Sequence, residues 1–300
     1  MPLDFFTTDD GDIVLRAGQG SYPVHDFRVH KFILSLVSPV FKDMFASPQP
    51  PDQNHNEQPD TSIIDISEPP YILDTILRLI YPGVELPKIP NVSTLNALLS
   101  MADKYNITSL YPVLRQSLKT FLPGNPFRVY IIACRFGFLE EAKQALRVLT
   151  PEATTLRPAH EKDLRHISSI DLYRLMWFIR TREREGRAKI RVSTLLIPGE
   201  YLNICEHWSD GEDFYDRLEG KLQNLFEENP CAQFDDLNGV LAKLPDPPLG
   251  CAPELQMTED GEEIFCPLRP SSIRDCLTFL ARALNEINDT LIESAFEKKF

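Results

Sequence analysis

The residues best placed to do chemistry near the start of this sequence are a histidine–lysine pair. His30 and Lys31 stand where an extended stretch gives way to apolar residues at helical spacing. A histidine there could act as a general base. However, an imidazole among apolar residues at a strand–helix junction is more often a structural group satisfied by hydrogen bonds. We therefore predict a structural polar cluster of His30, Lys31 and Asp12, the last on the facing strand.

A second set of residues with metal-ligand chemistry lies in the last third of the chain. Cys205, His207, Cys251 and Cys266 carry donor atoms that zinc prefers. Zinc ligands usually come in close pairs, and only the first two of these residues are close in sequence. The six cysteines are widely scattered, which favours reduced thiols over a disulfide framework. We predict no metal ion and no cofactor, and a thiol- or metal-dependent enzyme is the weakest hypothesis.

Composition and motifs exclude several classes of function. The sequence has no Walker A loop, no glycine-rich dinucleotide fingerprint, no HExxH and no GxSxG, so we predict no catalytic residues. A net charge of −13 opposes the basic surface that nucleic-acid binding requires. No apolar run approaches the ~20 residues that span a bilayer, and the first residues do not resemble a signal peptide. The protein is expected in the cytoplasm, the nucleus or both.

Hydrophobic patterning predicts strands and helices in the first part of the chain. The segment "DIVLR" at 12–16 and the segment "YPVHDFRVH" that follows a turn are typical of paired strands. Helical spacing begins after these strands, and Ser38-Pro39 supplies the N-cap and first-turn proline of a second helix. A third strand, "SIIDI", and three helices follow, at Tyr71–Tyr81, Leu95–Tyr105 and Leu110–Leu122. Apolar residues recur at helical spacing in the first helix at Phe32, Ile33, Leu36 and Val37.

Other segments are predicted to be loops or helices without a site. The segment Ser47–Asp60 has four prolines and no large apolar residue, so we predict a mobile loop. Beyond Pro123 the pattern indicates paired helices separated by short turns. The basic residues between Arg180 and Arg191 are interleaved with glutamates. They are typical of a solvated helix end, although a nuclear import signal is an alternative.

The order of elements over residues 10–120 resembles the BTB/POZ fold, and the likeness rests on particular residues. They are Asp12, Phe27, His30, Lys31, Leu34, Ser38, Phe41, Phe45, Tyr81-Pro82-Gly83, and Ala102, Asp103, Lys104 and Tyr105. The segment "NPFRVYIIACRFGFLEEAKQAL" resembles the helical extension of a large group of fungal BTB proteins. We therefore predict an α+β fold, with a BTB/POZ domain (a small β-sheet with a helical cluster) at 1–122. A paired-helix extension at 123–196 and a helical region of unknown type at 197–300 complete an all-α C-terminal part.

The resemblance implies a protein-interaction module without catalysis. In this family the aspartate and the histidine–lysine pair meet in a partly buried cluster, and the histidine fixes the strand-to-helix turn. Members associate with themselves, and many recruit a cullin-type ubiquitin ligase scaffold. We expect protein partners, with no nucleic acid or membrane. The residues expected to contact a partner are Phe41, Met44, Phe45 and Tyr105.

Two departures from the family weaken its best-known uses. Cullin-binding members typically carry a hydrophobic-x-Glu element after the second helix, where this chain has "ASPQPPDQ". Dimeric transcription-factor members exchange an N-terminal strand, and only eleven residues precede Asp12 here. The leading hypothesis is thus an intracellular scaffold or adaptor. A cullin-ligase substrate adaptor and a nuclear regulator that tethers corepressors are the alternatives.

Overall fold

A computed structural model describes the chain at residues 6, 10–18, 22–47, 62–84, 86–149, 164–189, 217, 219–225, 239, 256–257, 263–264 and 270–297. The chain forms two compact units, Met1–Asn125 and Pro126–Phe300. Nearly all of the predicted loop after Ser47 lies outside the described residues. The same holds for the four residues considered as zinc ligands.

The first unit is built on a three-stranded sheet. Strands β1 (Ile13–Ala17), β2 (His25–Val29) and β3 (Ile63–Ile66) lie in the order β2-β1-β3. β1 is antiparallel to β2 and parallel to β3. The central position of β1 explains why four of its five side chains are buried. The predicted strands are confirmed.

The described part of this unit also contains five α-helices. They are α1 (Lys31–Val37), α2 (Pro39–Ala46), α3 (Pro70–Ile80), α4 (Val92–Lys104) and α5 (Tyr111–Thr120). A 3₁₀ turn at Thr108–Leu110 leads into α5. The core is formed by apolar side chains from these elements, chiefly Leu15, Phe27, Leu34, Phe41, Ile72, Leu73, Ile76, Leu95, Leu98, Leu99 and Leu114.

Ser38 shows how the sequence sets the break between the first two helices. Its backbone is extended, and its hydroxyl accepts a hydrogen bond from the Phe41 amide at 3.0 Å. The same hydroxyl donates to the carbonyl of Tyr105 at 2.5 Å. The predicted N-cap is therefore confirmed. The Ser38 hydroxyl also connects α2 to the C-terminal end of α4, and no local sequence pattern predicts this contact.

The long secondary-structure elements described in the second unit are all helices. α6 (Pro126–Arg135) and α7 (Leu139–Arg147) form a hairpin, and α8 (Ser169–Lys189) and α9 (Pro270–Glu297) follow. Two short strands, β4 (Gln256–Met257) and β5 (Glu263–Ile264), pair antiparallel. Gly137 has φ +70° between α6 and α7, which is the left-handed cap expected at this position. In the described parts of the chain, no helix combines the length and apolarity needed to cross a bilayer.

Ion pairs define how α9 packs in this unit. Lys143 lies 2.5 Å from Glu293, and Arg147 lies 2.9 Å from Asp289. From the first ion pair to the second, the residue number increases along α7 and decreases along α9, so the two helices are antiparallel. α9 also packs against α8. The closing helix thus belongs to the same unit as the paired helices, and the predicted boundary at residue 196 stays a prediction.

Candidate protein-interaction site

The predicted polar cluster lies where β1, the start of α1 and the end of α3 meet. The Asp12 carboxylate accepts a hydrogen bond from the backbone amide of Lys31 at 2.7 Å. The backbone amide of His30 donates to the Tyr81 hydroxyl at 2.8 Å, and the imidazole Nδ1 lies 3.2 Å from that hydroxyl. The three predicted residues are therefore close together. However, Asp12 accepts a hydrogen bond from the Lys31 amide, whereas His30 has Tyr81 as its hydrogen-bond partner.

Tyr81 is the member of this cluster that sequence reasoning did not assign. Its ring packs against Phe6, with ring centroids 5.1 Å apart, and burial raises the pKa of its hydroxyl. A protonated hydroxyl accepts the His30 amide proton and lies within hydrogen-bond distance of the imidazole. Tyr81-Pro82-Gly83 is one of the motifs that carry the family resemblance. The motif did not indicate that Tyr81 contacts His30.

The chemistry available to His30 is limited. Its ring is 35% exposed, and a carboxylate oxygen of Asp10 lies 3.9 Å from Nε2. Across the described residues, no group of three or more histidine, cysteine, aspartate or glutamate side chains is arranged to hold a metal ion. The arrangement fixes the turn from β2 into α1.

A second group of predicted residues forms an aromatic stack inside the first unit. Phe41 and Tyr105 have ring centroids 4.6 Å apart and parallel planes, and Phe45 also stacks on Phe41, with centroids 5.8 Å apart. Phe41 is 1% exposed and Tyr105 4%, whereas Met44 and Phe45 are half-buried. Any contribution of the two buried rings to partner binding would be indirect, through the position of their neighbours. Binding by these four residues stays a prediction.

Polar contacts hold Tyr105 in this stack. Its hydroxyl donates to one oxygen of the Glu68 carboxylate at 2.9 Å, and the ammonium of Lys104 contacts the other oxygen at 2.7 Å. Burial, and then the nearby Glu68 carboxylate, raise the pKa of Tyr105 well above its usual range. The family residues Lys104 and Tyr105 therefore attach α4 to the segment between β3 and α3.

Among the described residues of the first unit, the most exposed large apolar side chains are on α1. Phe32 is 76% exposed and Leu36 is 75% exposed, and their spacing of four residues places them on one side of the helix. The buried residue of α1 is Leu34. Helical periodicity grouped Phe32 and Leu36 with Ile33 and Val37, so it did not separate the core side from the surface side. We call Phe32 and Leu36 the α1 apolar pair.

Comparison with known families decides the identity of this unit. Residues 6–122 match the model of the BTB/POZ domain family. They form a BTB/POZ domain. No curated protein matches the chain. BTB/POZ domains are generally protein–protein interaction modules and mediate self-association.

Hydrogen bonds at the turn from β2 into α1 fix the position of α1 in the BTB/POZ domain. The backbone amide of His30 is held by Tyr81 and that of Lys31 by Asp12. These are two of the amides at the start of α1 that lack a partner within the helix. The cluster thus positions the helix that carries the α1 apolar pair.

Removing the Tyr81 hydroxyl is expected to destabilise the BTB/POZ domain. Tyr81→Phe keeps the ring contact with Phe6 but leaves the His30 amide and imidazole without their oxygen partner. The expected cost is about 1–3 kcal/mol in the free energy of unfolding, measured by urea denaturation. Tyr22→Phe is the matched control, because the Tyr22 ring is 46% exposed. Equal stability of the two variants would contradict the role assigned to Tyr81.

Proposed function

We propose that the protein is a non-catalytic interaction scaffold or adaptor whose BTB/POZ domain binds through α1. The observation that carries this proposal is the exposure of Phe32 and Leu36, about three quarters of each side chain. Burying a side chain of this kind against a partner yields roughly 1.5–3 kcal/mol. The helix that carries them is held at its start by hydrogen bonds, so little ordering would accompany binding.

The occupant that we propose for this surface is a second copy of the domain. In a two-fold dimer the same patch meets itself, so the α1 apolar pair of one copy would cover the pair of the other. BTB/POZ domains mediate self-association, which supports this choice. α1 has seven residues and is therefore about 10 Å long. Stable interfaces bury about 800 Å² per partner, so α1 alone favours a weak dimer.

The two alternatives have less support. A cullin-ligase adaptor would need an apolar anchor and a carboxylate after α2, and the sequence there is "ASPQPPDQ". A nuclear corepressor tether would rely on the basic run as an import signal. Within that run, Arg182 is buried and Arg184 contacts Glu185. Both roles are therefore secondary to a scaffold that acts through α1.

Self-association is tested by sedimentation velocity over a concentration series. We expect reversible dimerisation in the micromolar range, and Leu36→Glu should weaken it by at least about tenfold, which corresponds to ~1.4 kcal/mol. A carboxylate in an apolar contact would be desolvated without a partner. Melting temperatures should be unchanged, since Leu36 is exposed.

The matched control is Leu139→Glu, an exposed leucine of the second unit (48% exposed). It should leave dimerisation as in the wild type. A wild-type protein that stays monomeric at all concentrations, or a Leu36→Glu variant that dimerises normally, would refute self-association through α1.

A further inference from the structure

The connection between α3 and α4 contains an apolar–proline pair repeated after three residues. Its sequence is Leu86-Pro87-Lys88-Ile89-Pro90, and all five residues lie outside regular secondary structure. Each proline fixes its own φ near −65° and disfavours helical geometry at the residue before it. The segment is therefore biased toward the polyproline II helix, which has three residues per turn.

This segment is accessible and directly precedes the capped start of α4. Leu86 is 65% exposed, Lys88 and Pro90 are exposed, and the other two residues are half-buried. Within the part of the chain that the structure describes, its backbone groups make no hydrogen bonds. Tyr81 is fixed before it by the His30 amide, and Asn91 caps α4 directly after it. An ordered but unpaired segment of this kind loses little entropy when it binds.

We propose that residues 86–90 are a ligand for a polyproline-binding domain of the SH3 type. Such domains have grooves lined by aromatic side chains that bind PxxP segments in the polyproline II conformation. With three residues per turn, the two apolar–proline pairs return to the same side of the helix. They present Leu86-Pro87 and Ile89-Pro90 to one groove, and the exposed Lys88 lies on the third side of the helix, away from that groove.

PxxP spacing alone would not support this proposal. Pro123 and Pro126 have the same spacing, but Pro126 is buried as the first residue of α6, and Asn125 stands before it in place of an apolar residue. Among the described residues, the segment at 86–90 differs from Pro123–Pro126 because it combines apolar–proline pairs, exposure and backbone groups without hydrogen bonds. The inference is independent of dimerisation through α1.

The test is isothermal titration of the full-length protein with purified SH3 domains that represent both ligand orientations, and with a purified WW domain. We expect at least one SH3 domain to bind. Pro87→Ala and Pro90→Ala should each weaken that binding by at least about tenfold, with melting temperatures unchanged. Pro82→Ala is the matched control, since this exposed proline lies in the turn just before the segment.

The outcomes separate this proposal from the function proposed for α1. Leu36→Glu should bind the SH3 domain as the wild type does. A synthetic peptide of residues 83–93 should bind the same SH3 domain more weakly than the protein, because it lacks the folded α4 that directly follows the segment. Lack of binding to every SH3 domain, tighter binding to the WW domain, or full affinity of the Pro87→Ala and Pro90→Ala variants would overturn the inference.

Discussion

Replacing Phe41 with alanine is expected to lower the free energy of unfolding of the BTB/POZ domain by about 3–5 kcal/mol. The ring is 1% exposed and stacks on both Tyr105 and Phe45, so its removal would leave a cavity between α2 and the end of α4. Small domains have a total stability of roughly 5–15 kcal/mol. The loss would be read as a lower urea midpoint of the unfolding transition, followed by circular dichroism.

The control is Phe32→Ala, the same substitution nine residues earlier. Phe32 is 76% exposed, and substitutions at such sites usually change stability by less than ~0.5 kcal/mol. The two phenylalanines thus have the same chemistry and opposite roles, one in the core and one on the proposed contact surface. Equal stability of the two variants would mean that Phe41 does not lie in the core.

These two phenylalanines also show what can be predicted from the sequence. Local signals were sufficient for the elements of the first unit. Alternation and β-branched residues indicated the strands, and Ser38-Pro39 marked the break between α1 and α2. Which side of α1 faces the core was not predicted, because five of its seven residues are large and apolar. The four that were grouped at helical spacing did not include the buried Leu34. A helix this short carries too little periodicity to separate Leu34 from its neighbours.

Contacts between distant parts of the chain were harder to predict for a physical reason. Tyr81 meets His30 across 51 residues, and Lys143 meets Glu293 across 150 residues. Such contacts depend on how whole elements pack, and a pattern of residue types along the chain does not specify this. The predicted polar cluster at the start of α1 contained Asp12, His30 and Lys31, and it left out Tyr81. The prediction did not supply the correct partner of Asp12, which is the Lys31 amide.

Removing Arg78 from α3 is expected to destabilise the BTB/POZ domain by about 3–5 kcal/mol, the cost of leaving a buried charge without its partner. The guanidinium lies 2.8 Å from the Asp74 carboxylate, and the two side chains are 11% and 5% exposed. Among the described residues, the other carboxylate oxygen, Oδ1, has no hydrogen-bond partner. Arg78→Leu would therefore leave Asp74 buried with neither oxygen compensated by the guanidinium.

A double-mutant cycle measures this coupling by urea denaturation of Arg78→Leu, Asp74→Asn and the variant with both changes. The double variant should be more stable than Arg78→Leu alone, because the uncompensated charge is gone. Additive losses would show that the two side chains do not interact. The pair lies one turn before Tyr81, which holds the His30 amide at the start of α1. If α3 shifts in Arg78→Leu, dimerisation through Leu36 should weaken together with the stability of the domain. The double variant with Asp74→Asn should recover part of the lost stability and part of the lost dimerisation.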